Sequence, residues 1–167
     1  MLNLNPVEWF ASIPPEWATL FISMIPVTEI RASIPIALEI YNLPIWKTWI
    51  IAVVGDMLPA LVILAIMPWL NEWVRDHKLF GKWFNKELER AEKKFAGKYS
   101  KYGALALIIF VGIPLPLTGS WTGSFASFVF NIPFKKAAPL IFAGVCLAAT
   151  VITIITLFAG GAIRALV

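Results

Sequence analysis

Four apolar stretches and one polar stretch divide the 167-residue chain. Residues 18–41 are apolar but interrupted in the middle by Pro26, Glu29, Arg31 and Pro35. Residues 47–68 form a cleaner run with one internal charge, Asp56, long enough as a helix to cross a hydrocarbon core of about 30 Å. Trp46, Trp49 and Trp69 stand near its ends, where an interfacial aromatic belt is expected. Residues 104–131 are again apolar and are broken by Gly112-Ile-Pro114-Leu-Pro116-Leu-Thr118-Gly119. Residues 137–158 are a second clean run, which Gly160-Gly161 is expected to end. The pattern predicts two spanning helices and two broken helical segments.

The polar stretch, residues 71–101, carries Arg75, Lys78, Lys82, Lys86, Arg90, Lys93, Lys94, Lys98 and Lys101. Phe80, Phe84, Leu88, Ala91, Phe95, Tyr99 and Tyr102 recur there by fours and threes, giving one apolar stripe on a basic helix. Such a helix lies on a membrane surface or docks on the protein's own spans. At the other end, residues 1–17 contain no Lys or Arg, which argues against a secretory signal. Trp9, Phe10, Ile13 and Trp17 fit a short interfacial helix, and Pro14-Pro15-Glu16 reads as a helix start.

The two apolar halves match. Asn42-Leu-Pro44-Ile-Trp-Lys47 resembles Asn131-Ile-Pro133-Phe-Lys-Lys136, 89 residues later, and the same spacing pairs Phe21 with Phe110, Ala37 with Ala126 and Gly55 with Gly144. Each half reads as broken segment, Asn-apolar-Pro turn, clean span. Proline removes a backbone donor and disfavours helical geometry in the residue before it. Irregular backbone at membrane depth survives only where protein or a water-filled cavity covers it. Each broken segment is therefore a kinked span or a re-entrant hairpin. The hairpin arms would be residues 18–24 with 33–41, and 105–111 with 120–130, each of about ten residues or about 15 Å.

Charge favours hairpins. They put the nine linker positives and Lys135-Lys136 on one face, with only Lys47 and Arg164 on the other, as the positive-inside rule requires. The expected fold is an all-α integral membrane protein built as an inverted-topology repeat. Each half is a re-entrant hairpin plus one transmembrane helix, and a basic amphipathic interfacial helix joins them. The boundaries are 1–17 for the N-terminal helix, 18–68 for the first repeat, 69–101 for the linker, 102–160 for the second repeat and 161–167 for the tail, all within one membrane domain.

Composition agrees. The chain is 59% hydrophobic and 14% charged, whereas a soluble domain carries about a quarter charged residues. The net charge of +4 then reports membrane orientation and anionic headgroups rather than nucleic acid. The lone Cys146 forms no internal disulfide. No metalloprotease or serine-hydrolase motif occurs, and the one histidine, His77, lies in the linker, so an enzyme is not expected. No cofactor or metal site is expected either.

Glu29, Arg31 and Asp56 are the costly residues, since a charge at the bilayer centre costs about 2.5–3.5 kcal/mol on insertion scales. Asp56, nine residues past Lys47, would lie about 13 Å deep, and Glu29 at similar depth, so the three could meet at the midplane. An extended spacing would set Glu29 and Arg31 on one side. Apolar surroundings favour the neutral carboxyl, which suits proton exchange, and the Arg31 guanidinium suits a phosphate or carboxylate. The same residues could instead form a structural ion pair. The second break has no charge. Thr118, Gly119, Ser120, Trp121, Thr122 and Gly123 there offer hydroxyls, an indole and backbone amides, for a substrate path or for tight packing.

Two elements carry a family resemblance. Pro26-Val-Thr-Glu29-Ile-Arg31-Ala-Ser-Ile-Pro35 and Pro114-Leu-Pro116-Leu-Thr-Gly119-Ser-Trp121-Thr-Gly123 resemble the small multidrug export family of prokaryotic membrane proteins, over nearly the whole chain. That family is similar in turn to the DedA superfamily, whose members carry two facing re-entrant hairpins and are implicated in polyprenyl-phosphate transport and in drug and pH tolerance. The resemblance implies that Glu29, Arg31 and Asp56 stand where such proteins place membrane-embedded acids and bases. It also implies the prokaryotic cytoplasmic (inner) membrane, with the basic linker on the cytoplasmic side. DedA proteins carry arginines in the second hairpin and this chain has none, which speaks against a doubly clamped lipid phosphate.

The function expected is a proton-coupled transporter or flippase for an amphiphilic substrate, of anionic or lipid-phosphate type. The alternative is an uncoupled scramblase or membrane-organising protein. The expected partners are the lipid bilayer with its anionic headgroups, a small amphiphile, protons and a second copy in a homodimer.

Overall fold

The computed structural model describes residues 13–76, 103–115, 118–130 and 132–166. The expected surface helix of the linker, the first twelve residues, Pro116 and Asn131 lie outside the described residues. Every element described is helical: α1 (Pro15–Met24), α2 (Glu29–Pro35) with a following π-helical turn (Ile36–Ile40), α3 (Ile45–Asp76), α4 (Ala104–Gly112), α5 (Ser120–Val129) and α6 (Phe134–Leu166).

Proline chemistry sets the first boundaries. Pro15 occupies the first turn of α1, where its missing N–H costs nothing, and Glu16 sits beside it at the positive end of the helix dipole. α1 stops at Ile25, which precedes Pro26 and adopts the extended ψ of 128° that the proline ring imposes. The turn is then tied down, because Thr28 Oγ1 donates to Ile22 O at 2.6 Å and Glu29 N to Ile25 O at 2.9 Å.

Pro35 does not break the chain as expected. It closes α2, and the helix continues through the π-turn to Ile40. Pro35 has no N–H for the Arg31 carbonyl, and the wider turn takes over from there, closed by Tyr41 N to Ile36 O at 3.0 Å. Asn42, at φ 52°, supplies the left-handed residue that ends this segment. Nor does Gly160-Gly161 end α6, which runs on to Leu166. A glycine costs a helix about 1 kcal/mol, whereas a broken helix leaves several backbone groups unpaired. α3 likewise runs past Pro68 to Asp76.

The chain forms two compact units, one of Met1–Leu58 with Val145–Val167, the other of Pro59–Gly144. In the first, α1 and α3 run the same way: Lys47 Nζ meets Glu16 Oε1 at 2.6 Å, and further along Gly55 meets α1 at Leu20 and Ser23. Ser23 Oγ donates to Ser33 Oγ at 2.6 Å, so α2 returns antiparallel to α1. The start of α1, the end of the π-turn and the start of α3 therefore share one end of the unit.

In the second unit Gly144 of α6 meets α4 at Ile108 and Val111, and Gly123 of α5 also faces Val111. The element starts repeat at the expected spacing: Pro15 and Ala104, then Ile45 and Phe134, lie 89 residues apart. So do the bonds that open the long helices, Thr48 N to Pro44 O at 2.9 Å and Ala137 N to Pro133 O at 3.0 Å.

α3 shows what surrounds the protein. Thr48, Ala52, Asp56, Ala60 and Leu64 line its buried face at four-residue steps, while Trp46, Ile50, Val54, Leu58, Val62 and Ile66 line the exposed one. A helix facing water carries polar residues on its outer stripe. Here that stripe is apolar, so its solvent is lipid. Ile45–Ile66 and Phe134–Gly160 are long and apolar enough to cross a membrane.

Candidate functional site

Glu29 opens α2 at the turn following α1 and is only 3% exposed. Its backbone stands at φ 43°, a left-handed conformation that costs a residue with a Cβ about 1–2 kcal/mol. Strain of this kind persists where the surroundings hold it, often at functional sites. Arg31 Nη2 lies 3.1 Å from Glu29 Oε2. The expected extended spacing is not what joins them. α2 is helical from Glu29 onward, and residues two apart on a helix do not face each other. The left-handed φ takes Glu29 out of the helical series and lets its carboxylate reach the guanidinium.

Around this pair the first unit buries polar groups. Ser33, one helical turn after Glu29, bonds Ser23 of α1. Asp56, 1% exposed, lies on the buried stripe of α3 next to Gly55, which packs on Ser23. The structure thus brings Glu29 and Arg31 into direct contact and sets Asp56 within the same compact unit. Pro26 and Val27 form the exposed tip of the turn. At the outer end of the unit the Lys47 ammonium, hydrogen-bonded to Glu16, holds that carboxyl below the usual carboxylate range.

Sequence reasoning passed over Ser23 and Ser33, because small hydroxyl residues in an apolar helix look like packing. It also passed over Pro59. A proline there deprives the Gly55 carbonyl of its helical donor beside Asp56. A polar group freed at membrane depth was the available signal.

The second break uses its polar groups internally. Thr118 Oγ1 accepts from Leu115 N at 3.2 Å and lies 2.8 Å from both Ile113 O and Leu115 O. Thr122 Oγ1 donates to Gly119 O at 3.2 Å, and Gly123 N to the same oxygen at 2.9 Å. Pro114 lies in the loop, and Trp121 Nε1 is buried without a hydrogen-bond partner among the described residues. Gly119 has φ 139° and ψ −168°, a region open only to glycine. Gly119→Ala is therefore expected to lower thermal stability by about 1–3 kcal/mol, read as a shifted unfolding midpoint in detergent. An unchanged midpoint would contradict this backbone geometry.

A family model described as putative small multi-drug export protein matches residues 29–151. The chain belongs to this family. The matched stretch opens on Glu29 and includes Arg31, Asp56 and the second loop, so the small multi-drug export family covers every candidate residue except Pro26. No curated protein and no solved structure matches the chain.

Proposed function

We propose that this small multi-drug export family member is a proton-coupled transporter or flippase of the prokaryotic inner membrane, acting on an amphiphilic substrate. The observation that carries the reading is the buried Glu29–Arg31 pair, held by strained backbone at the turn between α1 and α2. Glu29 and Asp56 serve as proton carriers, and Arg31 serves as counter-charge or substrate-binding group. The family's description supports export as the activity class.

The architecture we infer is DedA-like, with two re-entrant hairpins in inverted-topology halves and the basic linker on the cytoplasmic face. Two features support it. The start of α1, the end of the π-turn and the start of α3 share one end of the first unit. The contacts of α1 with α3 also support a turn about ten to fourteen residues into the span, or about 15–20 Å, as a re-entrant hairpin in a core of about 30 Å requires.

Two measurements test this. In a Cys146→Ala background, cysteines at Lys101 and Lys135 are expected to label from one face and a cysteine at Ser12 from the other. Labelling of 101 and 135 from opposite faces would overturn the hairpins. In vesicles, amphiphile movement is expected to stop when the pH gradient is collapsed. Undiminished movement would replace coupling by uncoupled scrambling.

A further inference from the structure

The two hairpins differ at one place where the repeat predicts likeness. A cavity of about 400 Å³ opens on the second hairpin, lined by Gly103, Ala106, Leu107 and Phe110 of the α4 side and by Ala126, Phe130 and Ile132. A cavity of this size suits a small organic ligand. Its lining offers carbon almost throughout, so the part of a ligand that enters must be apolar.

The first hairpin shows what fits there. The 89-residue shift pairs Ala106 with Trp17 and Phe110 with Phe21, and exposure follows the same register along α1 and α4. Phe21 and Phe110 are each 40% exposed. In the first hairpin the Trp17 indole lies over Phe21, with ring centroids 6.3 Å apart and an angle of 29° between planes. In the second, Ala106 places no ring on the corresponding face of Phe110, and no ring stacks there among the described residues. The cavity thus lies at the position where the other half of the chain carries a planar aromatic ring, the Trp17 indole.

Charge differs at the neighbouring position. In the first hairpin Glu16 of α1 pairs with Lys47 at the start of α3. The shift pairs Glu16 with Leu105 and Lys47 with Lys136, and no Asp or Glu occurs anywhere from residue 103 to 167. Lys135 and Lys136 are exposed in the first turn of α6, just past the cavity-lining Ile132, and no acid pairs with them among the described residues. One half of the repeat supplies both an aromatic ring and a carboxylate, and the other half supplies neither.

We infer that this cavity binds a small amphiphilic anion, its planar aromatic body stacked on Phe110 and its acidic group turned toward Lys135 and Lys136. The inference goes beyond the proton site. Binding here needs no pH gradient, so it stands or falls apart from the coupling reading.

The test is titration of the protein in neutral-lipid nanodiscs with 1-naphthoate, followed by calorimetry, with 1-naphthamide and 1-naphthylmethylammonium as controls. Naphthoate is expected to bind saturably and more tightly than either control. Ala106→Trp, which copies Trp17, is expected to fold with an unchanged unfolding midpoint and to weaken binding by about tenfold or more. The Lys135→Ala, Lys136→Ala pair is expected to weaken naphthoate by about fivefold and leave naphthamide unchanged. Should Ala106→Trp fold poorly, Phe110→Leu removes the stacking face without adding volume and is expected to weaken all three ligands.

Equal affinity of wild type and Ala106→Trp for naphthoate would overturn the site. So would native mass spectrometry showing a phospholipid that copurifies with wild type, is absent from Ala106→Trp and is not displaced by naphthoate. The cavity would then be a lipid-chain site.

Discussion

Vesicles carrying the Glu29→Gln, Asp56→Asn double variant are expected to insert a normal amount of protein and to show no pH-driven flux above that of empty vesicles. Both substitutions keep side-chain shape while removing the ability to carry a proton. Glu29 and Asp56 are 3% and 1% exposed, so neither amide would be unmasked at a surface. The Arg31 guanidinium, 21% exposed, loses a partner but keeps access to its surroundings and stays charged.

Arg31→Ala is expected to behave differently. It leaves the buried Glu29 carboxylate without its counter-charge, and breaking a buried pair from one side costs about 3–5 kcal/mol. The protein should then be recovered in low yield or with a lowered unfolding midpoint, beyond any loss of flux. Flux in the double variant equal to wild type would remove the proton-carrier roles of both acids. A stable and fully active Arg31→Ala would show that the ion pair does not hold the turn.

The second large effect is structural. A Cβ at Gly55 would lie 2.6 Å from the Leu20 carbonyl oxygen and 2.9 Å from Ser23 Cβ. The first of these is backbone and cannot rotate away, so α1 must move off α3. A Cβ at Gly144 would lie 2.7 Å from Val111 Cβ and 3.0 Å from the Ile108 carbonyl oxygen, a similar conflict in the other half. Overpacking of this kind costs about 1–3 kcal/mol, occasionally more.

Gly55→Ala and Gly144→Ala are thus both expected to lower the unfolding midpoint in detergent, and valine at either site to prevent folding. Gly123→Ala is the comparison. Its nearest obstacle is Val111 Cγ2 at 2.5 Å and its next is Ile141 Cγ1 at 3.6 Å, so a side chain rather than backbone must give way, although a buried β-branched residue in a helix does so only at a cost. A smaller shift is expected there. Unchanged midpoints for Gly55→Ala and Gly144→Ala would mean that α3 and α6 do not approach α1 and α4 this closely.

Much of this was legible from residue order, because it follows local rules. Long apolar runs, the first with tryptophan near its ends, mark the two segments able to cross a membrane, and α3 and α6 contain them. Pro14-Pro15 starts α1 and Pro26 stops it, since a proline constrains only itself and its predecessor. The 89-residue spacing, read from a handful of paired residues, reappears in the starts of four helices. The membrane environment and the costly acids needed only composition and position.

Other features required the folded chain. Proline 35 looked like a break and is not one, because a π-turn can absorb its missing hydrogen bond where neighbouring helices hold the segment. Glycines 160 and 161 looked like a stop and are not, because the surroundings decide what an unpaired backbone costs. The left-handed Glu29, the Ser23–Ser33 bond, the close approaches at Gly55 and Gly144 and the cavity beside Ala106 all depend on which side chain stands opposite. Residue order by itself determined where the long helices start and where charge is expensive, since both are properties of a segment in its solvent. Tertiary structure alone decided which polar groups meet and where space is left, since these depend on contacts between residues far apart in the chain.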